Sequence, residues 1–422
     1  MDDIDQIIIK PSKLCGEVYV SGAKNSCLRM LAASLLTPEK IALHNFPSGM
    51  SDVIIHVEML KLLGKRCTIQ KDALLIEEDF RPPSTLNWMG RSIRNTLLIL
   101  GALVSRTGHG AVPLPGGCQI GERKFDLHEM LLKRLGADVW AEEGTLYAEA
   151  SKGLTGNEIH LPFRSTGATE NAIIAGTLAK GTTRIWNPHV RPEIIDLISF
   201  LNGMGAKIRV FGQEHIEVVG VEGLRETEHT VIPDNMEAIT WLVAAVMTRG
   251  DVEIKKFPYR DLEVPLIHLR ESGAKFFYGN DSLIARGGRC YPLDISTGPF
   301  PGINSDVQPI LAAYSACAYG ESRIIDLRFP GRYGYVNEMA KLGLEFSLDG
   351  NLLRIMGKGG QLKGAKVKAL DLRAGAALAL CGLVAEGETI LGDAWQIARG
   401  YDNFIVKLQK LGGVAAAGHS HG

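Results

Sequence analysis

The chain has 422 residues, 45% hydrophobic and 22% charged, with a formal net charge of −1. That length leaves room for two or three ordinary domains. The near-neutral charge gives no general affinity for nucleic acid or for a membrane surface. No apolar run approaches about 18 residues, so no transmembrane helix is expected. The seven cysteines form no C-x-x-C pair, which argues against a disulfide framework or a zinc knuckle.

In chain order, the acidic start Met1-Asp2-Asp3-Ile4-Asp5 is the opposite of a basic signal-peptide head, and reduced thiols point to a cytoplasmic protein. The first 20 residues read as strand. Thereafter one pattern recurs six times: an amphipathic helix ending in Leu-Gly or a similar pair, then a short β segment. The marker glycines are 64, 136, 205, 273, 343 and 412, spaced by about 70 residues, and a glycine is the expected helix C-cap there. Ala137 to Tyr147 alternates as a hairpin with its turn at Glu143-Gly144. A second helix, small and apolar on most faces, lies between markers. Its copies are Asn25 to Leu36, Asn171 to Ala179, Ala238 to Met247, Gln308 to Tyr319 and Ala374 to Ala385. Most copies run into a closing glycine, at 108, 181, 250, 320 and 387, whereas the first ends at Thr37-Pro38. Such a helix must be buried. Six α/β units of this size predict two globules of three units, dividing near residue 230, with the N-terminal strand crossing to the second, in preference to an elongated array. The tail after Val414 is expected to fray, and its two histidines to bind no metal.

The segment Pro115-Gly116-Gly117-Cys118-Gln119-Ile120-Gly121-Glu122-Arg123 sets one thiol among three glycines with a guanidinium five residues on. Glycine permits close backbone approach, a nearby cation tunes a thiol, and arginine grips phosphate or carboxylate. The same segment also reads as a glycine-rich turn around a small buried cysteine. Charges gather at the starts of the buried helices: Lys24-Asn25, Arg91 and Arg94, Ser305-Asp306, and Asp371-Leu372-Arg373. Arg332 and Arg399-Gly400-Tyr401 are expected to open outer helices. Helix N-termini attract anions, so these junctions suit a small, strongly anionic substrate. No P-loop, G-x-S-x-G elbow or metal-ligand spacing is present.

Together, Ser21-Gly22-Ala23-Lys24-Asn25, Pro115 to Arg123 with Asp126-Leu127-His128, Ser165-Thr166-Gly167-Ala168-Thr169, Pro233-Asp234, Ser305 to Gln308, Asp371 to Ala374 and Arg399-Gly400-Tyr401 carry a resemblance. The chain resembles the enolpyruvyl transferases over essentially its whole length, and among them the branch acting on UDP-N-acetylglucosamine in peptidoglycan synthesis. The resemblance implies an α/β fold, an inside-out α/β barrel. One three-repeat globule covers residues 24–232, and a second covers 1–23 with 233–422, with the catalytic cleft between them. It implies phosphoenolpyruvate and a uridine nucleotide-sugar as substrates, and no cofactor or metal.

By the same resemblance, Cys118 is the general acid at C3 of the donor and Asp306 the base at the acceptor hydroxyl. Lys24, Arg123 and Arg399 hold the donor phosphate, Arg332 and Arg373 its carboxylate, and Arg94 adds a cation. Asn25, Arg123, Asp126 and Leu127 serve the acceptor, with Ser165, Thr166 and Gly167 on its nucleotide phosphates. Three departures fall on the acceptor side: Leu98 where a Trp is usual, Phe163-Arg164 where a Lys precedes the phosphate loop, and Arg191 where an acidic residue is usual. They keep open a different uridine nucleotide, such as UMP, as acceptor. A silent nucleotide-sugar-binding relative is the third reading.

Overall fold

The computed structural model describes residues 5–115 and 125–418. Its contacts divide the described residues into two units, one joining those up to Ser21 with those from Pro233 onward, the other made of the described residues between Gly22 and Ile232. The second holds α1 (Lys24–Ala33), α2 (Ser51–Leu62), α3 (Thr96–Thr107), α4 (Asp126–Arg134), α5 (Thr166–Gly176) and α6 (Pro192–Gly203). The first holds α7 (Asn235–Met247), α8 (Glu263–Glu271), α9 (Gln308–Ala316), α10 (Gly334–Lys341), α11 (Leu372–Gly382), the short α12 (Trp395–Ala398) and α13 (Phe404–Lys410).

The sheets share one pairing order. In each four-stranded sheet a parallel edge strand is followed by two antiparallel pairings. Thus Cys15–Tyr19 runs parallel to Asp251–Lys255, which pairs antiparallel with Ser282–Arg286, itself antiparallel to Lys275–Tyr278. Thr227–Thr230 plays the parallel part beside Ile41–His44, and Glu158–His160 beside Thr182–Trp186. The sheet of His109–Pro113, Thr145–Glu149 and Asp138–Glu142 has three strands, and a single parallel bridge, Thr85 to Ala111, stands where the fourth would be. The result is an α/β fold with mixed sheets.

Burial follows the two helix types. Every residue of α7, α9 and α11 is buried, whereas α8 buries only Pro265, Leu266 and Leu269. Each unit has one continuous hydrophobic core, and burying each large aliphatic side chain contributes about 1.5–3 kcal/mol. All six marker glycines have positive φ. The hairpin at Glu143-Gly144 also forms, with positive φ at both residues, as a right-twisted ladder requires of a two-residue turn.

Three expectations need correction. Over its described length the tail from Val414 is not frayed: Val414–Gly418 pairs antiparallel with Gln6–Lys10. The copies near Asn171, Ala238 and Ala374 begin earlier, at Thr166, Asn235 and Leu372, because Ser165, Asp234 and Asp371 cap the helices with their side chains. Arg399 caps the C-terminus of α12, and the outer helix α13 starts only at Phe404. No helix of the described residues is long and apolar enough to cross a membrane.

Candidate active site

Cys118 and Arg123 lie outside the described residues. The remaining candidate residues fall into two groups, one in each unit.

In the unit containing α7, α9 and α11, two arginines are buried beside Asp306, with Arg373 only 1% exposed and Arg332 7%. Arg332 Nη1 donates to Asp306 Oδ1 at 2.8 Å, and its Nη2 lies 3.7 Å from Asp371 Oδ2. Arg373 Nε lies 3.7 Å from Asp306 Oδ2, and the guanidinium sits 5.0 Å from the centre of the Tyr401 ring. Asp371 also accepts from the backbone N–H groups of Arg373 and Ala374, so it caps α11. Burial opposes both positive charges. For Arg332 the carboxylates of Asp306 and Asp371 more than offset that cost, and its pKa is raised. For Arg373 Tyr401, Asp306 and Asp234 do the same, and its pKa is also raised.

Several polar groups here are left over. Nε, Nη1 and Nη2 of Arg373 and Nε and Nη2 of Arg332 make no hydrogen bond among the described residues. Nor do either end of the Gln308 amide and the Tyr335 hydroxyl. Leaving one such buried group unsatisfied costs about 1–3 kcal/mol, so a cluster of them suits water or an anionic ligand. Asp306 is the candidate base, its side chain 28% exposed and already held by two cations. Arg399 is half-buried and donates from Nη1 to Gln396 Oε1 at 3.0 Å.

In the other unit, Lys24 opens α1 and is buried, with Nζ 3.4 Å from Asp52 Oδ2 in the first turn of α2. Asn25 beside it is half-buried, as are Arg94, Leu127, Ser165, Thr166 and Gly167, while Asp126 is exposed. Ser165 Oγ accepts from Ala168 N, and Thr166 Oγ1 bonds His189 Nδ1 at 2.7 Å. His128 Nδ1 accepts from Asn171 Nδ2 at 3.1 Å, so the neutral ring carries its proton on Nε2. A Cβ on Gly167 would stand 3.2 Å from that Nε2. Burial, with Arg94 second, depresses the His128 pKa to about 3. The ring therefore faces the first turn of α5 as a neutral donor.

Two departures turn out to be internal. Leu98 is 3% exposed within the core of its unit, so an aromatic there would displace packed side chains. Arg191 forms a two-pronged pair with Glu193 at 2.6 and 2.8 Å. Burial raises the Glu193 pKa, but Arg191 more than offsets it and the net shift is downward. Phe163 alone of the three departures presents an exposed side chain, beside half-buried Arg164. Sequence reasoning missed Asp52, Tyr401 and Asp371 as partners of the cations. Asp371 and Tyr401 had a signal, since both stand in quoted motifs, whereas Asp52 had none.

In this α/β chain Lys24 and Arg373 stand in the first turns of buried helices beside carboxylates, an arrangement that suits an anion. The model of EPSP synthase (3-phosphoshikimate 1-carboxyvinyltransferase) matches residues 8–408, and the chain belongs to that family. UDP-N-acetylglucosamine 1-carboxyvinyltransferase 1 of Caldanaerobacter subterraneus subsp. tengcongensis is 40% identical over 407 residues, covering 96% of this chain and 97% of that protein. The protein of the same name from Carboxydothermus hydrogenoformans is 42% identical, covering 96% of each. Among solved structures, the enolpyruvyl transferase NikO from Streptomyces tendae superposes with a TM-score of 0.87 at 26% identity, over 97% of this chain and 98% of that one.

Proposed function

We propose that the protein transfers the enolpyruvyl group of phosphoenolpyruvate to a hydroxyl of UDP-N-acetylglucosamine and releases phosphate. The observation that carries this is the 40–42% identity, running nearly end to end, with proteins named for that reaction. The buried location of Leu98 and the internal pairing of Arg191 weigh against a remodelled acceptor pocket.

The chemistry is addition followed by elimination. The acceptor oxygen bonds to C2 of the donor as its proton passes to Asp306, and Cys118 supplies a proton to C3. Phosphate then leaves C2, C3 gives up a proton, and an enol ether remains. Arg332 and Arg373 hold the donor carboxylate, and their fixed charges stabilise the negative charge that builds there without reorganising. Lys24, Arg123 and Arg399 take the phosphate, with Arg94 as a further cation. Asn25, Arg123, Asp126, Leu127, Ser165, Thr166 and Gly167 hold the nucleotide-sugar.

Each unit is an inside-out α/β barrel of three repeats, supported by the common pairing order of the sheets and the wholly buried helices. A cytoplasmic location fits two phosphorylated, membrane-impermeant substrates.

The test is incubation with phosphoenolpyruvate and either UDP-N-acetylglucosamine or UMP, following phosphate release and product mass. Phosphate release with formation of enolpyruvyl-UDP-N-acetylglucosamine is expected. Turnover of UMP alone would replace the acceptor assignment.

A further inference from the structure

One buried carboxylate, Asp326, has no part in the donor or acceptor sets, yet it is wired to the residues on both sides of the Asp306–Arg332 pair. It follows the strand Tyr319–Ile325 directly and is wholly buried. Its Oδ1 accepts from Thr297 Oγ1 at 2.8 Å, Arg328 N at 2.9 Å and Phe329 N at 2.8 Å. Its Oδ2 accepts from Ser305 Oγ. Its own N–H donates to the hydroxyl of Tyr333, the residue after Arg332, at 2.7 Å.

The Ser305 contact is directional. A hydroxyl has one hydrogen to donate. Given to Asp326, that hydrogen leaves the lone pairs of Ser305 Oγ for Arg332, whose Nη1 donates to Oγ and to the Ser305 carbonyl, each at 3.3 Å. The same Nη1 donates to Asp306 at 2.8 Å. Asp326 thus settles which way the Ser305 hydroxyl points, and with it one of the contacts that fix the Arg332 guanidinium. It also ties down the turn through Phe329 that leads to Arg332.

We propose that Asp326 is a positioning residue for Arg332, acting through the Ser305 hydroxyl, and that it sets affinity for the donor rather than for the acceptor. This rests on the reading of Arg332 as a donor-carboxylate ligand. A purely architectural Asp326 would cap its turn and contribute to folding stability only.

The experiment compares Asp326→Asn, Ser305→Ala and Arg332→Ala, and each of the first two combined with the third. KM for phosphoenolpyruvate and KM for UDP-N-acetylglucosamine are measured separately, with Tm recorded for each variant. In Asp326→Asn the amide oxygen can still accept from the turn, while the amide N–H₂ faces Ser305 and reverses its hydroxyl. Asp326→Asn and Ser305→Ala should each raise the donor KM by roughly tenfold and leave the acceptor KM within about twofold. In the Arg332→Ala background neither should raise the donor KM further, because residues acting through one contact are not additive. Should Asp326→Asn fail to fold, Ser305→Ala and its double variant carry the test. Equal rises in both KM values, or full additivity with Arg332→Ala, would overturn the positioning role while leaving Arg332 as a donor ligand. An unchanged donor KM in Arg332→Ala would remove the donor reading, and this inference with it.

Discussion

Arg373 shows how a single residue gains its meaning from depth. In the sequence it is one more cation at a helix start. In the fold it is 1% exposed, covered by Tyr401 and beside Asp306. A buried charge persists only when paired, and here the pairing carboxylate is the candidate base itself. Under the proposed mechanism Asp306 has a double role, pairing with two arginines in the resting protein and accepting a proton during turnover. Asp306→Asn keeps the shape and removes the basicity. It should lower kcat by roughly 10²–10⁴-fold, the usual contribution of one acid–base group. Steady-state kinetics with each substrate varied in turn checks this, and a change confined to KM would make Asp306 a binding contact only. The residue types at this site were legible because helix starts should not carry buried charge without use. Their partners were not, because Asp326, Tyr401 and Asp52 are separated in the chain from the cations they serve.

At the scale of elements, the two helix types were legible because glycine C-caps and apolar helices recur at a fixed spacing. Helix starts were read too late because an apolar pattern begins after the cap, whereas Ser165, Asp234 and Asp371 capture N–H groups of the first turn. The terminal strand was missed because Val-Ala-Ala-Ala-Gly has little strand character of its own and is held by pairing with Gln6–Lys10. Two glycines separate backbone strain from packing. Gly136 has φ of 94° and open space where a Cβ would stand, so Gly136→Ala should cost about 1–2 kcal/mol from strain alone. In Gly101→Ala the new methyl would fall 1.9 Å from Asn171 Oδ1, forcing α3 and α5 apart or displacing Asn171 from His128. Overpacking of that kind costs about 1–3 kcal/mol, and the lost hydrogen bond adds to it. Urea denaturation should therefore find Gly101→Ala the less stable of the two. The reverse order would mean that α5 yields without cost.

For the molecule as a whole, buried neutral histidines predict how stability depends on pH. Burial, with Arg29 second, lowers the His56 pKa to about 3, and Asn95 Nδ2 lies 2.9 Å from its Nδ1. An unfolded histidine titrates near 6.5. Between these values the unfolded chain binds a proton that the folded chain refuses, so stability is full above about pH 6.5 and falls as the pH drops toward 3. At pH 5 this amounts to about 2 kcal/mol for one such residue. His56→Gln should shrink the stability lost between pH 7 and pH 5 by about that amount. Urea midpoints at the two pH values test it, and an unchanged loss would mean that His56 is protonated in the folded protein.

In the proposed mechanism enolpyruvyl transfer proceeds through addition and elimination at the donor's C2 and C3. Addition turns C3 into a methyl group by taking a proton from the protein, and elimination removes one of its three hydrogens. Turnover in D₂O followed by proton NMR of the product's vinyl group reads this directly. Deuterium is expected at C3 of the enolpyruvyl product, which should form only when UDP-N-acetylglucosamine is present. Product that forms with release of phosphate and carries no deuterium at C3 would contradict it.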